Sequence, residues 1–366
     1  GQNLFGNSII AIEAKTGKYI WHYQVTHHDL WDYDLPSPPN LVTIKKDGKP
    51  IDVVAQITKQ GFIFVLDRET GEPVFPIEEK PVAASTIPGE QSWPPQPVPL
   101  QPPPLCRQQL DENSITDISQ EANAFVKNSI KNLIRGDMYL PPSLEGTVQI
   151  PGYRGGAEWS GACVDMPSGI MYVGINDIPN ITTLVKKTGN NPDEFSNTTI
   201  KEAGNILYQK SCAVCHGADR KGNPGFPPLL DMEQRFKPSD AKAIIEKGKG
   251  MMPGFRGMPA QDKEALIAYL FNTNDNRMYT PAQPSDIPGP GTTGNVRYSL
   301  KGYIQLLDQD GYPGIKPPWG TLNAVDLNTG NILWKKPLGE YPGLAKKGIA
   351  HTGTQLFGGG IVTAGG

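Results

Sequence analysis

Long apolar runs are missing from this sequence. No stretch approaches the ~18 to 20 consecutive apolar residues that span a bilayer, so a membrane span within these residues is not expected. The sequence also lacks a large net charge. It has 34 Lys and Arg residues and 37 Asp and Glu residues, which gives a formal net charge of −3. That balance argues against binding to nucleic acid or to an anionic membrane surface, and favours small molecules or a redox protein as partners.

The usual start of a complete protein is also missing, since the chain begins Gly-Gln-Asn without an initiator Met or a charged and apolar leader. We therefore expect a piece of a longer protein, and a membrane anchor outside these residues stays open. The sequence does contain 41 Gly and 36 Pro residues, which fall at the ends of short apolar runs. This pattern indicates many short strands joined by turns.

Cysteine is scarce, but two of the four cysteines form the motif Cys212-Ala-Val-Cys215-His216. Its three reactive side chains are at positions i, i+3 and i+4, which share one face of a helix. Both thiols could then bind the vinyl groups of one haem while His216 ligates the iron. A redox disulfide would follow a strand and lack the adjacent histidine, and a zinc site would need a second ligand pair. Haem c is therefore the favoured interpretation.

Two helices are expected to flank this motif, at residues 200–209 and 262–271, because apolar residues recur there at helical spacing. A helix on either side of the attachment motif is typical of a small cytochrome. Residues 195–277 are therefore expected to form an inserted, all-α cytochrome c domain.

The second axial ligand of the haem iron should be a thioether or an imidazole well downstream of the motif. Met251, Met252 and Met258 are the candidates. Residues 249–255, Lys-Gly-Met-Met-Pro-Gly-Phe, resemble the Gly-x-Met-Pro loop of class I cytochromes c, in which the methionine before proline is the ligand. This resemblance selects Met252, with Met251 as the fallback.

Three segments outside this domain share one spacing of a small or apolar residue, an acidic residue, a threonine, a glycine and an aromatic ring. They run over residues 11–21, 65–75 and 324–334. Each is read as a strand, a tight turn and a second strand, and recurring hairpins of this kind predict a β-propeller. About three or four blades are visible, so further blades are expected outside this chain.

The repeat that ends in tryptophan resembles the docking motif of the pyrroloquinoline quinone (PQQ) dehydrogenases, which are eight-bladed propellers that oxidise alcohols and sugars. The resemblance covers nearly all of the chain outside the cytochrome domain. It implies a mainly β fold, a partial eight-bladed propeller at residues 1–194 and 278–366. Its most specific piece is residues 27–36, His-His-Asp-Leu-Trp-Asp-Tyr-Asp-Leu-Pro, which is similar to the active-site segment of the membrane-bound glucose dehydrogenase branch.

This resemblance implies roles for three residues. The Asp after Trp is the catalytic base of the family, and that position is Asp32 here. Residues 57–67 are similar to the family segment whose lysine contacts the quinone oxygens, which assigns that role to Lys59. Asn176 falls where the family places an asparagine that contacts PQQ.

A metal ion is expected beside the base. Oxidation of a hydroxyl group needs a base for the O–H proton, and a carboxylate near a divalent cation and a lysine can serve at neutral pH. Asp32 and Asp34 are two residues apart, so on a strand both side chains would point to the same face and could share a metal. Ca²⁺, Mg²⁺ and a lanthanide all stay open, because this spacing is shared by the lanthanide-using alcohol dehydrogenases and the glucose-type branch.

The other two cysteines are Cys106 and Cys163. Haem c is attached outside the cytoplasm, where thiols tend to oxidise, so a disulfide between them is one expectation. Two free buried cysteines are the alternative.

Together these features predict a periplasmic quinohaemoprotein dehydrogenase that oxidises a sugar or polyol with PQQ and passes electrons to its own haem c. A downstream cytochrome, quinone or oxidase would accept them. One alternative is a primary-alcohol dehydrogenase of the same fold. The other is a propeller scaffold without catalysis, in which a base and a quinone-contacting lysine on adjacent blades would have no purpose.

Overall fold

The computed structural model divides the chain into two compact units. The strand unit comprises Gly1–Val185 and Leu300–Gly366, and the helical unit comprises Lys186–Ser299. The structure describes residues 1–186, 195, 197–222, 226–250, 252, 254–273, 275–280 and 298–363. No helix in this described part is long and apolar enough to cross a membrane.

Most of the described elements are short, as the glycine and proline content predicts. The strands are β1 (Ser8–Ile12), β2 (Tyr19–Gln24), β3 (Asn40–Lys46), β4 (Lys49–Ile57), β5 (Ile63–Asp67), β6 (Ile77–Pro81), β7 (Pro95–Pro99), β8 (Thr147–Gln149), β9 (Ala162–Asp165), β10 (Ile170–Asn176), β11 (Asn180–Thr182), β12 (Leu184–Lys186), β13 (Tyr298–Leu300), β14 (Ile304–Gln305), β15 (Gly320–Asp326) and β16 (Asn331–Pro337). The helices are α1 (Gln120–Ile130), α2 (Ile200–Ser211), α3 (Ala213–His216), α4 (Met232–Arg235), α5 (Pro238–Lys247), α6 (Ala260–Leu270) and α7 (Pro342–Ala345).

A four-stranded antiparallel sheet in the order β9-β10-β15-β16 receives the inserted segment. Its two central strands pair in register from Ile170 opposite Asp326 to Asn176 opposite Gly320. The helical unit is part of the chain that connects these two neighbouring strands. The insertion therefore interrupts one sheet in sequence without breaking its hydrogen-bonded ladder.

A second antiparallel sheet, β3-β4-β5, packs against the first one through a shared apolar core. Alternate residues of β3 and β4 are buried there, and the other sheet contributes alternate residues of β10. The buried residues are Val42, Ile44, Val53, Ala55, Met171, Val173 and Ile175. Sheets that bury their faces against their neighbours are the packing expected of propeller blades.

The three repeats fold into the same tight turn. Gly17, Gly71 and Gly330 each have a positive φ, of 69°, 78° and 75°. Each glycine N–H donates to the carbonyl of the acidic residue four positions earlier, at 2.8, 2.9 and 2.7 Å. The threonine before each glycine donates its hydroxyl to that acidic side chain. The spacing shared by the three repeats therefore corresponds to one type of turn, and its last residue has a backbone conformation that only glycine adopts without strain.

The hairpin prediction is confirmed for the first repeat, β1 with β2, and for the third, β15 with β16. In the second repeat the strand after the turn is reduced to a single bridge between Leu66 and Pro73. Pro73 and Pro76 lack the N–H that a ladder needs, which accounts for the missing strand.

The ring that ends a repeat packs on the glycine of the next one. Trp21 lies against Gly71, and a Cβ added there would be 2.6 Å from the indole. The Trp21 Nε1 atom also donates to the Arg68 carbonyl at 3.1 Å. Phe75 lies in the same way against Gly330, 3.2 Å from an added Cβ. The turn glycine therefore provides the flat surface on which the preceding blade is fixed.

Replacing Gly71 with alanine is expected to lower the free energy of unfolding by about 2 to 4 kcal/mol, from left-handed backbone strain plus displacement of the Trp21 ring. Gly17→Ala is the matched control, because Gly17 has a similar φ of 69° and nothing within 4 Å of an added Cβ. It should cost only the backbone strain, about 1 to 2 kcal/mol. Urea unfolding measures both variants, and equal losses would show that the ring contact contributes nothing.

The helical unit is built on a close crossing of α2 and α6. A Cβ at Gly204 would be 1.9 Å from the Ala265 carbonyl oxygen, so only glycine allows the two backbones to approach this closely. Thr199 caps α2 by exchanging hydrogen bonds with Glu202. These two helices confirm the ones predicted at residues 200–209 and 262–271.

Cys106 and Cys163 do not form a disulfide in the described structure. The buried Cys106 Sγ lies 3.3 Å from the Gln60 carbonyl oxygen, and the Cys163 Sγ lies 3.8 Å from that of Tyr172. Of the two expectations left open by the sequence, the free thiols are the one that the structure shows.

Candidate functional site

The loop between β2 and β3 carries the predicted base, and Asp29 determines its shape. The Asp29 carboxylate accepts hydrogen bonds from the backbone N–H groups of Trp31 at 2.8 Å and Tyr33 at 2.7 Å. Asp32 is held between them with a φ of 64°. The expected strand through Asp32 and Asp34 is therefore wrong, because an Asx turn bends the chain there. Both carboxylates nevertheless reach the same lysine.

Two buried rings fix this loop to the rest of the strand unit. The Trp31 Nε1 atom donates to the Leu140 carbonyl at 2.9 Å, and the Tyr33 hydroxyl donates to the Pro151 carbonyl at 2.8 Å. The side chains of Asp32 and Asp34 are 57% and 49% exposed. The aromatic residues are thus buried while the carboxylates remain accessible to a ligand.

Lys59 lies in the turn between β4 and β5 and is buried. Its Nζ atom is 2.5 Å from Asp34 Oδ1, 3.0 Å from the Asp32 carbonyl oxygen and 3.5 Å from Asp32 Oδ2. The structure therefore brings together Asp32, Asp34 and Lys59. Two of the three N–H bonds of the ammonium are occupied at short distance, and the third is available to a ligand oxygen.

Two glycines hold Lys59 in place, one at its side-chain stem and one at its backbone. A Cβ added at Gly155 would be 2.4 Å from Lys59 Cγ, and the φ of Gly155 is 85°. The Gly156 N–H donates to the Lys59 carbonyl at 2.6 Å. Lys59 is consequently clamped at its backbone, its stem and its charged end.

Asn176 ends β10 and reaches the same neighbourhood through its backbone, since its N–H donates to the Gly156 carbonyl at 2.7 Å. Its buried side chain bonds both backbone groups of Leu356, at 2.6 and 2.9 Å. The amide still has one N–H and one lone pair for another partner. A contact between Asn176 and PQQ stays a prediction.

Asp32 has a perturbed acidity. Burial raises the pKa of Asp32 to about 6, because the positive charge of Lys59 offsets only part of that effect and the Asp34 carboxylate adds to it. A carboxylate with a pKa in this range is ionised at neutral pH and is a stronger base than a free aspartate.

Glu158 and Tyr153 are two site residues that sequence reasoning missed. Burial raises the pKa of Glu158 to about 7, against the opposing effect of Lys59 and Arg154. The Tyr153 hydroxyl is buried without a hydrogen-bond partner in the described structure. Glu158 is an acidic residue within the glycine-rich segment 155–161, which was the available signal for it, whereas nothing in the sequence marks Tyr153.

The donor set of this site suits an anionic quinone. PQQ carries three carboxylates as well as its quinone oxygens, and Lys59 and Arg154 supply positive charge. The free N–H of Lys59 and the unpaired Tyr153 hydroxyl supply donors. These residues therefore fit PQQ.

A metal ion shared by Asp32 and Asp34 fits the arrangement poorly. Ca²⁺ takes about six to eight oxygen ligands, and no group of three or more His, Cys, Asp or Glu side chains in the described residues could hold a metal. The Lys59 ammonium is within 3.5 Å of both carboxylates, so a divalent ion between them would meet an adjacent positive charge. By themselves these two residues do not fit a resident metal.

The haem motif lies in the helical unit, where Cys212 is the residue between α2 and α3, and Cys215 and His216 lie on α3. The His216 Nδ1 atom is 2.8 Å from the Pro227 carbonyl oxygen. With Nδ1 as the donor, this bond leaves the Nε2 lone pair free for iron. Burial raises the pKa of Cys212 to about 11, opposite to the lowered pKa of redox-active thiols.

Met252 lies in the same apolar cluster as Cys212 and Ala213. Its backbone exchanges two hydrogen bonds of 3.1 Å with Lys249 in a tight turn. Met258 belongs to this cluster too, while Met251 lies outside the described residues. A mainly apolar cluster that contains a thiol, a thioether and a nearby imidazole fits haem c.

Comparisons with known proteins match the strand-rich part and the helical part of the chain to two different families. Residues 1–223 and 260–366 match the PQQ family model of the glucose/ethanol/alcohol dehydrogenase β-propeller domain. Residues 200–270 match the model of cytochrome c oxidase, cbb3-type, subunit III. The cytochrome match lies on α2 to α6, the helices around the haem motif.

Three similar proteins illustrate the relationship. The quinoprotein glucose dehydrogenase of Gluconobacter oxydans is 36% identical over 342 residues, 91% of this chain and 40% of the relative. The glycerol dehydrogenase large subunit of the same organism is 27% identical over 377 residues, 100% of this chain and 40% of the relative. A solved quinohemoprotein alcohol dehydrogenase from Comamonas testosteroni is 18% identical with a TM-score of 0.38, covering 75% of this chain and 58% of that one.

The chain spans about two fifths of the length of these two curated relatives. The family model covers most of its residues, and the observed sheets, turns and ring contacts are those of propeller blades. This chain therefore belongs to the PQQ glucose/ethanol/alcohol dehydrogenase β-propeller family, with a cytochrome c domain inserted in it.

Proposed function

We propose that this chain is part of a periplasmic dehydrogenase that oxidises a hydroxyl group of a sugar or polyol with PQQ and passes the electrons to its own haem c. The observation that carries the proposal is the contact between Asp32 and Lys59, which combines a base with a donor for an oxyanion. Two relatives, a glucose and a glycerol dehydrogenase by name, support a sugar or polyol substrate over a simple alcohol. The haem motif supports a periplasmic location, because haem c is attached outside the cytoplasm.

Asp32 is the residue that takes the hydroxyl proton. Its carboxylate is more than half exposed and is ionised at neutral pH, so it can approach a substrate O–H. Proton removal makes the adjacent C–H bond easier to break as a hydride. PQQ, when bound, supplies the two-electron acceptor for that hydride.

Lys59 is the residue that stabilises the charge which develops on the acceptor. Its remaining N–H would donate to a quinone oxygen, and a fixed donor of this kind costs no reorganisation during the reaction. Gly155 and Gly156 hold the stem and backbone of Lys59, and Asp34 and the Asp32 carbonyl hold its ammonium. Asn176 and Arg154 would hold other polar groups of the cofactor.

The helical unit provides the exit for electrons. Cys212 and Cys215 would bind the haem covalently, and His216 and Met252 would ligate its iron, which supplies a one-electron carrier. A downstream cytochrome, quinone or oxidase would then accept the electrons. Calcium, magnesium or a lanthanide would support PQQ chemistry only with ligands beyond Asp32 and Asp34.

Reconstitution of the full-length protein tests this function. PQQ and Ca²⁺ are added, and the absorbance of reduced haem is followed with glucose, glycerol, ethanol and a longer primary alcohol. We expect reduction with glucose or glycerol and none when PQQ is omitted. Faster reduction by the primary alcohols would favour the alternative substrate class. If no hydroxyl compound reduces the haem, the chain is a scaffold and the proposal is wrong.

A further inference from the structure

Asp34 accepts a hydrogen bond from the ammonium group of Lys59 and forms an ion pair with it. Its Oδ1 atom lies 2.5 Å from Lys59 Nζ, whereas the nearest carboxylate oxygen of Asp32 is 3.5 Å away. The side chain of Lys59 is only 8% exposed. The short contact therefore belongs to Asp34, although the family resemblance gives the central role to Asp32.

A buried ammonium needs a partner of constant charge. Burial of an isolated charge is costly unless it is paired and hydrogen-bonded. Asp32 is a poor permanent partner, because a base loses its negative charge when it accepts the substrate proton. Asp34 forms the shorter ion pair with Lys59, at 2.5 Å, and is not the residue proposed to accept the substrate proton. The distances from Lys59 Nζ agree with these separate roles. Asp34 contacts the ammonium directly, whereas the carboxylate of Asp32 is farther away and about half exposed.

The rest of the clamp leaves the ammonium as the movable part of Lys59. Gly155 covers the stem, and Gly156 bonds the backbone carbonyl. These contacts fix the direction of the side chain, but they place no charge beside Nζ. Without the Asp34 carboxylate, the ammonium would keep the Asp32 backbone carbonyl at 3.0 Å and the Asp32 Oδ2 atom at 3.5 Å.

We propose that Asp34 is a positioning residue whose Oδ1 atom holds the ammonium of Lys59, and that this oxygen is not a ligand of a metal ion. The inference rests on the proposed function for what Lys59 acts on and for the role of Asp32 as a base, whereas the contact between Asp34 and Lys59 is a property of the chain. The two roles compete for the Oδ1 atom, because a metal ion that took this oxygen as a ligand would displace the ammonium of Lys59.

Chemical labelling of Lys59 tests the inference without catalysis. The full-length protein, with its haem and before PQQ is added, is treated with an acetylating N-hydroxysuccinimide ester. Acetylation of Lys59 is then measured by mass spectrometry of its peptide. We expect Asp34→Ala to be labelled about tenfold faster than the unsubstituted protein, the factor expected for loss of one hydrogen bond to a charged group. Asp34→Glu should restore most of the protection.

Lys335 is the internal control, because it is a second lysine of the strand unit whose Nζ donates to a backbone carbonyl, that of Leu105, at 2.6 Å. Its labelling should be the same in all variants, which excludes a general loosening of the fold. Equal labelling of Lys59 with and without Asp34 would overturn the inference.

Repeating the labelling with added metal ions tests whether Asp34 holds the ammonium of Lys59 or binds a metal. We expect excess Ca²⁺ or La³⁺ to leave the labelling of Lys59 unchanged in the unsubstituted protein. If either ion raises it to the level of Asp34→Ala, the carboxylate is a metal ligand and the inference is wrong. Since no arm uses PQQ or substrate, failure of the dehydrogenase proposal would leave these results interpretable.

Discussion

Replacing Asp32 with asparagine in the full-length protein is expected to lower kcat by roughly 10²- to 10⁴-fold, the usual contribution of a general base. The amide keeps the size of the side chain and tolerates the positive φ of this position. It cannot accept the substrate proton, and it leaves the contact between Asp34 and Lys59 in place. PQQ affinity should therefore change little, so the loss should appear in turnover and not in cofactor binding.

The pH profile provides a second measurement of the same role. The pKa of Asp32 is raised to about 6, so the carboxylate is present above that pH and is lost as the pH falls through it. The rate should therefore fall on the acid side near pH 6, and Asp32→Asn should remove that limb from any residual activity. Glu158, with a pKa raised to about 7, titrates in the same direction, and Glu158→Gln distinguishes the two groups.

Asp47→Asn is the matched control for Asp32→Asn. Asp47 is exposed and also has a positive φ, of 53°, in the turn between β3 and β4. Its replacement tests the same chemical change in a comparable backbone conformation away from the site, and activity should be retained. A loss of less than about tenfold in Asp32→Asn would contradict the role of a general base.

The features that could be predicted from sequence are those in which a few neighbouring residues determine the geometry. The motif from Cys212 to His216 specifies one helical face, and the repeat specifies one turn because its glycine must adopt a positive φ. Both signals are local, and both survive in the structure. The inserted position of the cytochrome could also be predicted, because repeats occur on either side of it.

The features that could not be predicted depend on contacts distant in sequence. Asp34 and Lys59 are 25 positions apart, and the alternation by two suggested a strand where Asp29 makes a turn. Glu158 joins the site only because Gly155 and Gly156 lie along Lys59 in the folded chain. The resemblance supplied the candidate base Asp32 and Lys59, but the distance between their side chains is determined by how the blades pack.

Replacing both Cys212 and Cys215 with alanine is expected to abolish covalent haem attachment, because the other two cysteines of the sequence, Cys106 and Cys163, lie outside the haem motif. Haem staining after denaturing electrophoresis measures this directly, and the unsubstituted protein should stain while the double variant does not. The matched control removes the other two cysteines, Cys106 and Cys163, and should leave the stain unchanged. Staining of the Cys212 and Cys215 double variant would contradict the assignment.

The same variant separates the two halves of the proposed function. In the proposed function, substrate oxidation depends on Asp32 and Lys59 in the strand unit, so the double cysteine variant should still reduce an artificial dye when PQQ and substrate are present. Transfer to the natural acceptor should be lost, because that step needs the haem. In addition, Cys212, Ala213 and Met252 line the apolar core of the helical unit, and loss of the haem should make that unit sensitive to proteases. A variant that keeps full transfer to the natural acceptor would show that the electrons leave by another route.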